Sequence, residues 1–430
     1  MTDVQTIKGA SIQRVTPADA HYFFGYYGRS PWDGTDDRLL AHKVEFADRL
    51  PGPDDTAELY LLSPEGSDKL IAETKAWNFQ LGSMLQWVNP EEAPWVAFND
   101  RRNGSLVTRL VNVDTGEERS INTPTYCITD GGKTAYGVDF DRLHQTRRGY
   151  GYAGGNSSSV IPSPADNGIW KLDLDEEKYE LLVSLDRLSQ HNTHPSMAGS
   201  AHWVNHLAVS PQGGRLAFLH RWELGDGGIY TRLCTIDPDG SNLRTVIDTG
   251  RVTHFTWANE QSILAWTREQ DFINSATNSE STNPVVSVFF DIGRYLLQNF
   301  QTPDWIVSDI VGEQYRLYEI NDETVSSTPV SIHSRDGHPT YSPDGNQIVT
   351  DTYPTSEERR ELYVCNHDTE QCIRIASFPS SPNHDQTGHR CDLHPRWNRS
   401  GTAICVDSFH EEVRGIYIVD LSNIELPSSE

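Results

Sequence analysis

HLAVSPQGGRLAFLH, from His206 to His220, decides how this 430-residue chain is read. It is a short apolar run, a Ser-Pro-x-Gly turn and a second apolar run, with a histidine four residues before the turn. The same pattern returns as HFTWANEQSILAWTR from His254, HPTYSPDGNQIVTDT from His338 and HPRWNRSGTAICVDS from His394. Three weaker copies are FGYYGRSPWDGTDDRLLAHK (Phe24–Lys43), LQWVNPEEAPWVAFND (Leu85–Asp100) and YCITDGGKTAYGVDF (Tyr126–Phe140). Each turn fixes a tight reversal, and the flanking residues alternate apolar and polar as hairpin strands do. Seven such units predict an all-β chain, a seven-bladed β-propeller forming a single domain over residues 1–430. Equivalent positions on the inner strands face one central funnel, so four imidazoles distant in sequence are expected to meet there.

The spacing is uneven. About eighty residues separate Tyr126 from His206 and His254 from His338, against roughly 40–50 per ordinary blade. Insertions are therefore expected around 154–202 and 268–336, and loops of that length are usually functional or disordered. The segment PVVSVFFDIGRYLLQNF (Pro284–Phe300) reads as a helix or a strand pair, too short and interrupted to span a membrane. AWNFQLGSMLQW (Ala76–Trp87) reads as core strand.

Composition agrees with a turn-rich β protein: 32 Gly, 23 Pro and 11 Trp, with little long helical periodicity. The formal net charge of −26 argues against nucleic acid or an anionic membrane as partner. Lysine stops at Lys178, and the acidic excess resembles that of proteins from salt-loving organisms. An anionic substrate would then need local arginines or a metal to overcome the protein field. MTDVQTIKGASIQRV, the opening stretch, has neither a basic nor an apolar signal region, so a cytoplasmic protein is expected. The six cysteines form no CxxC pair and read mainly as small buried hydrophobes.

Three constellations carry candidate chemistry. In HDQTGHRCDLHPRW (His384–Trp397), His389, Cys391 and His394 fall within six residues; with His338 from the neighbouring blade, and His254 beyond it, they supply enough ligands for a divalent metal. Nitrogen and sulfur donors favour zinc, and more oxygen favours manganese or calcium. In the fourth repeat His206, His220 and Arg221, followed by Tyr230 and Arg232, place imidazoles beside guanidinium groups that can pair with a carboxylate. In FDRLHQTRRGYGYAGG (Phe140–Gly155), His144, Arg147, Arg148, Tyr150 and Tyr152 crowd a Gly-rich loop suited to be a sugar-binding lip. No nucleophile elbow, HExxH or paired-carboxylate signature stands out.

On HLAVSPQGGRLAFLH, TRLCTIDPDGSNLR, THFTWANEQSILAW, DGHPTYSPDG and HRCDLHPRW the chain resembles the propeller oligogalacturonate lyases and, more broadly, the propeller ulvan and uronate lyases. The resemblance implies β-elimination on a uronate-containing oligosaccharide. Arg232 would bind the uronate carboxylate, His254 would be the base, and His338, His389 and His394 would contribute to a divalent-metal site. Cys391 departs from the oligogalacturonate pattern, whose metal residues are His and Gln. The ulvan-lyase pattern points instead to His144 and Arg221, with Asn205 and His206 where its tyrosine is expected. His254, His206 and His144 thus all stand as candidate bases, and Tyr150, Arg148, His220 and Tyr230 as substrate contacts. The competing class is a non-catalytic propeller similar to the TolB-type repeat proteins. Such a protein has no reason to place histidine at one funnel position in four blades.

Overall fold

The computed structural model describes residues 3–63, 68–89, 93–155, 160–268, 312–321, 324–380 and 388–428. Seven antiparallel sheets follow one another along the chain, and the first six have their four blade strands in chain order from inside to outside. Blade 1 is His21–Phe23, Leu39–Val44, Ala57–Leu62 and Lys69–Thr74; blade 2 is Gln86–Asn89, Ala93–Arg102, Ser105–Asn112 and Glu118–Ile121. Blade 3 comprises Cys127–Ile128, Thr134–Val138, Gly168–Asp173 and Lys178–Ser184, and blade 4 comprises His202–Val209, Leu216–Glu223, Ile229–Ile236 and Arg244–Gly250. Blade 5 is Val252–Asn259, Ser262–Arg268, Glu313–Ile320 and Val325–Pro329; blade 6 is Thr340–Tyr341, Gln347–Asp351, Arg359–Asn366 and Cys372–Pro379. The expected seven-bladed all-β propeller is the observed fold.

The ring closes through the N-terminus. Arg396–Trp397, Ala403–Ser408 and Gly415–Asp420 form the inner three strands of blade 7, and Ser11–Arg14 supplies the fourth, with Ile12 opposite Val419. Gln5–Thr6 adds a fifth strand to blade 6, with Gln5 opposite Ser377. Both segments are short and largely exposed, so no apolar alternation announces them. The core lies between neighbouring blades. Leu40, Leu59 and Leu61 of blade 1 pack with Val96, Phe98 and Val111 of blade 2 and with Cys405 and Ile416 of blade 7. Each such fully buried side chain contributes about 1.5–3 kcal/mol.

The first insertion begins earlier than expected. It leaves blade 3 after Val138 and starts with helix α1 (Phe140–Thr146), capped by Asp139, whose side chain accepts from the amides of Asp141 and Arg142. His144 therefore sits on a helix rather than in a Gly-rich loop. A second helix, α2 (Leu185–Gln190), and a 3-10 turn (Pro195–Met197) lead into blade 4. The second insertion falls between the second and third strands of blade 5, and Pro284–Phe300 lies outside the described residues. In Ala76–Trp87 the aromatic side chains are buried as expected, but only Gln86 and Trp87 belong to a strand. Gly82 turns the rest at φ +61°, where a Cβ would meet the His42 ring at 2.4 Å. Two cysteines depart from the free, buried reading: Cys365 and Cys372, opposite each other in blade 6, are disulfide-bonded. The other four are free and buried.

Candidate functional site

The inner-strand histidines do converge, and the chain is strained where they do so. His206 and His394 adopt φ of +51° and +45°, and Met84, just ahead of blade 2, adopts +58°. Non-glycine residues rarely occupy this region, and those that do cluster at functional sites. Ring centroids of His254 and His338 are 4.3 Å apart, those of His338 and His394 4.4 Å. Tyr26 and Tyr27 of blade 1 fill the remaining arc, with Tyr27 5.1 Å from His338 and 5.4 Å from His206. All four histidines are almost fully buried.

Hydrogen bonds assign each imidazole a different task. Tyr27 donates to the Phe255 carbonyl (3.1 Å), so its oxygen accepts from His206 Nε2 (3.1 Å); His206 Nδ1 faces the Tyr26 hydroxyl at 3.4 Å. Both nitrogens of His206 are committed, and burial holds its pKa well below the ordinary value. It brackets the ring and is poorly placed to take a proton. His254 differs: Nδ1 donates to Asp336 Oδ1 at 2.8 Å, leaving the Nε2 lone pair without a hydrogen-bond partner among the described residues. Burial lowers its pKa, and Asp336 partly restores it. A neutral imidazole oriented by a carboxylate is the arrangement a general base requires.

His338 and His394 are organised by one carboxylate. Asp351 Oδ1 accepts from His338 Nδ1 and from the His338 amide, both at 2.8 Å, while Oδ2 accepts from the His394 amide at 3.2 Å. His394 Nδ1 donates to the Gly25 carbonyl at 2.8 Å, leaving its Nε2 buried and unpartnered. Asp392 Oδ2 lies 3.9 Å from that nitrogen. The ligand atoms of His338, Asp392 and His394 all lie within 4.8 Å of one another. A histidine whose outer nitrogen is fixed by a carboxylate or carbonyl and whose inner nitrogen is vacant is how metal sites are supported, so the residues fit a divalent ion.

The expected ligand set is corrected at two positions. Cys391 packs among Phe23, Trp77, Phe79 and Phe409, where burial pushes its thiol up to about 11. Its neighbour Asp392 points the other way, into the group formed with His338 and His394. Burial works against the Asp392 carboxylate, but Arg390 (2.5 Å) and Arg360 (2.7 Å) hold it well below the usual range. His389 is buried nearby but outside the converging group.

Two arginines stand over this centre. Arg221 is 7% exposed, and its guanidinium has no hydrogen bond or ion pair among the described residues. Burial and Arg147 push its pKa well below the ordinary arginine value. Arg147 comes from the loop after α1, 4.1 Å above the Tyr150 ring, with a buried Nη1 also unpartnered. This loop crosses from blade 3 to the segment entering blade 7: a Cβ on Gly149 (φ +95°) would lie 2.6 Å from the Gly388 Cα.

Other expected site residues lie elsewhere. Arg232 donates Nε to His220 Nδ1 (3.1 Å) and its terminal nitrogens to the carbonyls of Leu188, His191 and Asn192. With no exposed surface, it ties α2 to blade 4 and offers a substrate carboxylate nothing. Because His220 accepts at Nδ1, it donates Nε2 to His202 Nδ1 (2.9 Å), and His202 Nε2 donates to the Met197 carbonyl (3.2 Å). His220 is thus a link in a closed chain rather than a substrate contact. Tyr230 bonds Asp248 and stacks on Trp222 at 4.3 Å, away from the funnel. His144 is half-buried beside Arg148, Asp141 and Arg101, and Arg148 is exposed. Asp336, Asp392 and Tyr353, which accepts from Arg390 at 3.2 Å, were missed by sequence reasoning.

Fold and site together define a seven-bladed β-propeller whose funnel holds two histidines and an aspartate poised for a metal, beside an oriented histidine and a cationic rim. No protein-family model and no curated protein matches the chain. Among solved structures it is similar to an oligogalacturonate lyase from Vibrio parahaemolyticus, with 15% identity and a TM-score of 0.60 over 97% of this chain and 96% of the other. It is equally similar to an oligogalacturonate lyase in complex with manganese: 16% identity, TM-score 0.62, 99% and 96% covered. The tricorn protease shares the architecture more loosely, at 10% identity and a TM-score of 0.50, with 36% of its own chain covered. At these identities the likeness establishes the fold, and one fold hosts many chemistries. Among the described residues no helix is long and apolar enough to cross a membrane.

Proposed function

We propose that the chain, acting as one propeller domain, is a uronate lyase that cleaves an oligosaccharide such as oligogalacturonate by β-elimination. One observation carries the reading: a carboxylate-oriented histidine with a vacant nitrogen lies in the same buried funnel as an arginine that lacks a counter-charge. An elimination of this kind needs both. His254 Nε2 takes the proton α to the uronate carboxylate, and Asp336 holds its tautomer and stabilises the imidazolium that forms. Arg221 pairs with the carboxylate, whose negative charge would otherwise oppose loss of that proton.

His338, Asp392 and His394 would hold a divalent ion, which when bound neutralises the carboxylate further as a Lewis acid. Two imidazoles and a carboxylate suit manganese or zinc better than calcium, whose shells are built of oxygen. The charge of −26 disfavours nucleic acid. The test is a panel of uronate oligosaccharides followed by ultraviolet absorbance of the conjugated product. Saturated products would indicate hydrolysis. No product from any member, with a partner protein retained on a column of the chain, would replace this reading with an interaction propeller.

A further inference from the structure

Elimination also requires a proton for the departing glycosidic oxygen. His254 is the acceptor in the first half of the reaction, and the tyrosines of the funnel are nearly all engaged. Tyr26 and Tyr27 bond His206, Tyr126 accepts from the His206 amide, Tyr152 from Asn99 and Tyr353 from Arg390. Tyr150 is the exception: it is 7% exposed, and among the described residues its hydroxyl has no hydrogen-bond partner. We propose that Tyr150, carried over the funnel by the loop that docks on Gly388, is the general acid that protonates the leaving oxygen. The inference rests on the lyase reading above.

The surroundings of the phenol suit an acid. Arg147 lies 4.1 Å above its ring, and Arg390, Arg221 and Asp392 are within electrostatic reach. Burial alone would raise the pKa of this tyrosine, yet the arginines outweigh burial and Asp392, and draw it below the ordinary value. Tyr26, Tyr27, Tyr126 and Tyr152 are all raised, with burial the leading cause. The cations stabilise the phenolate that proton transfer leaves behind.

The step balances without a redox partner. The His254 Nε2 lone pair takes the α-proton, and the C–H electron pair becomes the new C=C bond. The bond from the β-carbon to the glycosidic oxygen breaks with both electrons on oxygen. That oxygen takes the phenolic proton of Tyr150. When product leaves, the phenolate regains a proton from water and the imidazolium gives one up.

The test compares two substrates in wild type, Tyr150→Phe and Arg147→Met: a uronate oligosaccharide, and a synthetic uronide whose leaving group at the same carbon is a nitrophenolate that departs without protonation. On the oligosaccharide, Tyr150→Phe should lose about 10²- to 10⁴-fold in kcat, the usual worth of general acid catalysis. On the nitrophenyl substrate it should stay within a few-fold of wild type. Arg147→Met should show the same split, more weakly. Equal losses on both substrates would mean that Tyr150 positions or supports, and unchanged turnover of the oligosaccharide would exclude it from proton transfer. A wild type that makes no unsaturated product from either substrate would instead overturn the lyase reading, and the role of Tyr150 with it.

Discussion

Replacing Arg221 by methionine should move stability and activity in opposite directions. The side chain is 7% exposed, its Nε is buried without a partner, and burial and Arg147 both disfavour its charge. A buried polar group left unsatisfied costs about 1–3 kcal/mol. Methionine keeps most of the apolar stem and removes that cost, so the variant should be more stable by about 1 kcal/mol or more, read as a higher urea midpoint at unchanged slope. Activity should fall because the charge-assisted pair to the substrate is gone. The loss is roughly 2–4 kcal/mol of transition-state stabilisation, or about thirty- to a thousand-fold in kcat/KM. A short uronate should raise the urea midpoint of the wild type and leave that of the variant unmoved, since only the former gains an anion partner on binding. A variant that is less stable than wild type yet keeps its kcat/KM would show Arg221 to be a structural residue, and the carboxylate site would have to be sought elsewhere.

Four further outcomes follow from the geometry. His254→Ala should abolish elimination, while Asp336→Asn should lower kcat and move the acid limb of the pH profile to lower pH, because the lost carboxylate is what raises the imidazole pKa. Metal content, about one ion per chain when measured by elemental analysis, should fall in Asp392→Ala and in a His338→Ala, His394→Ala double variant but persist in Cys391→Ala. Arg232→Met should destabilise the fold by roughly 3–5 kcal/mol in urea titration, since it strips the partners from His220 and three carbonyls, and should leave kcat little changed. Ten of the sixteen histidines have depressed pKa values, that of His42 brought down to about 3; the unfolded chain binds protons first, so stability should be fully present above about pH 6.5 and decline as pH falls below it, well before the carboxylates titrate.

The blades were legible because a Ser-Pro-x-Gly turn between apolar runs is a local signal repeated often enough to count. The histidine position was legible because the repeats could be aligned on that turn. What the alignment could not give was the face on which a side chain lies. Cys391 and Asp392 are adjacent, and in extended chain neighbours point to opposite sides; the cysteine, the more suggestive ligand by composition, is the one that faces the aromatic core. The same parity separates Arg221 from His220. His220 is paired across the sheet with Arg232 and shares its side toward α2, while Arg221 is paired with Thr231 and Trp203 and turns the other way. Asp336 was hidden for another reason: it bonds a histidine of a different blade, and nothing in the chain announces which blade a loop will cross.

The funnel also resolves how so acidic a protein could receive an anion. A charge of −26 is a surface property, and surface charges are screened beyond about 10 Å at 0.1 M salt. The groups that would meet a carboxylate are buried, where screening is weak, and they do not cancel: among the described residues Arg221 and the Arg147 Nη1 are unpartnered, whereas Asp392 is already held by Arg360 and Arg390. Burial at the same time disfavours the charged forms of His206, His254 and His394. Had these imidazoles been charged, none could serve as a base or a metal ligand. Neutral histidines and uncompensated arginines in one enclosed volume are therefore a single arrangement: the burial that makes the first chemically useful is what leaves the second in need of an anion.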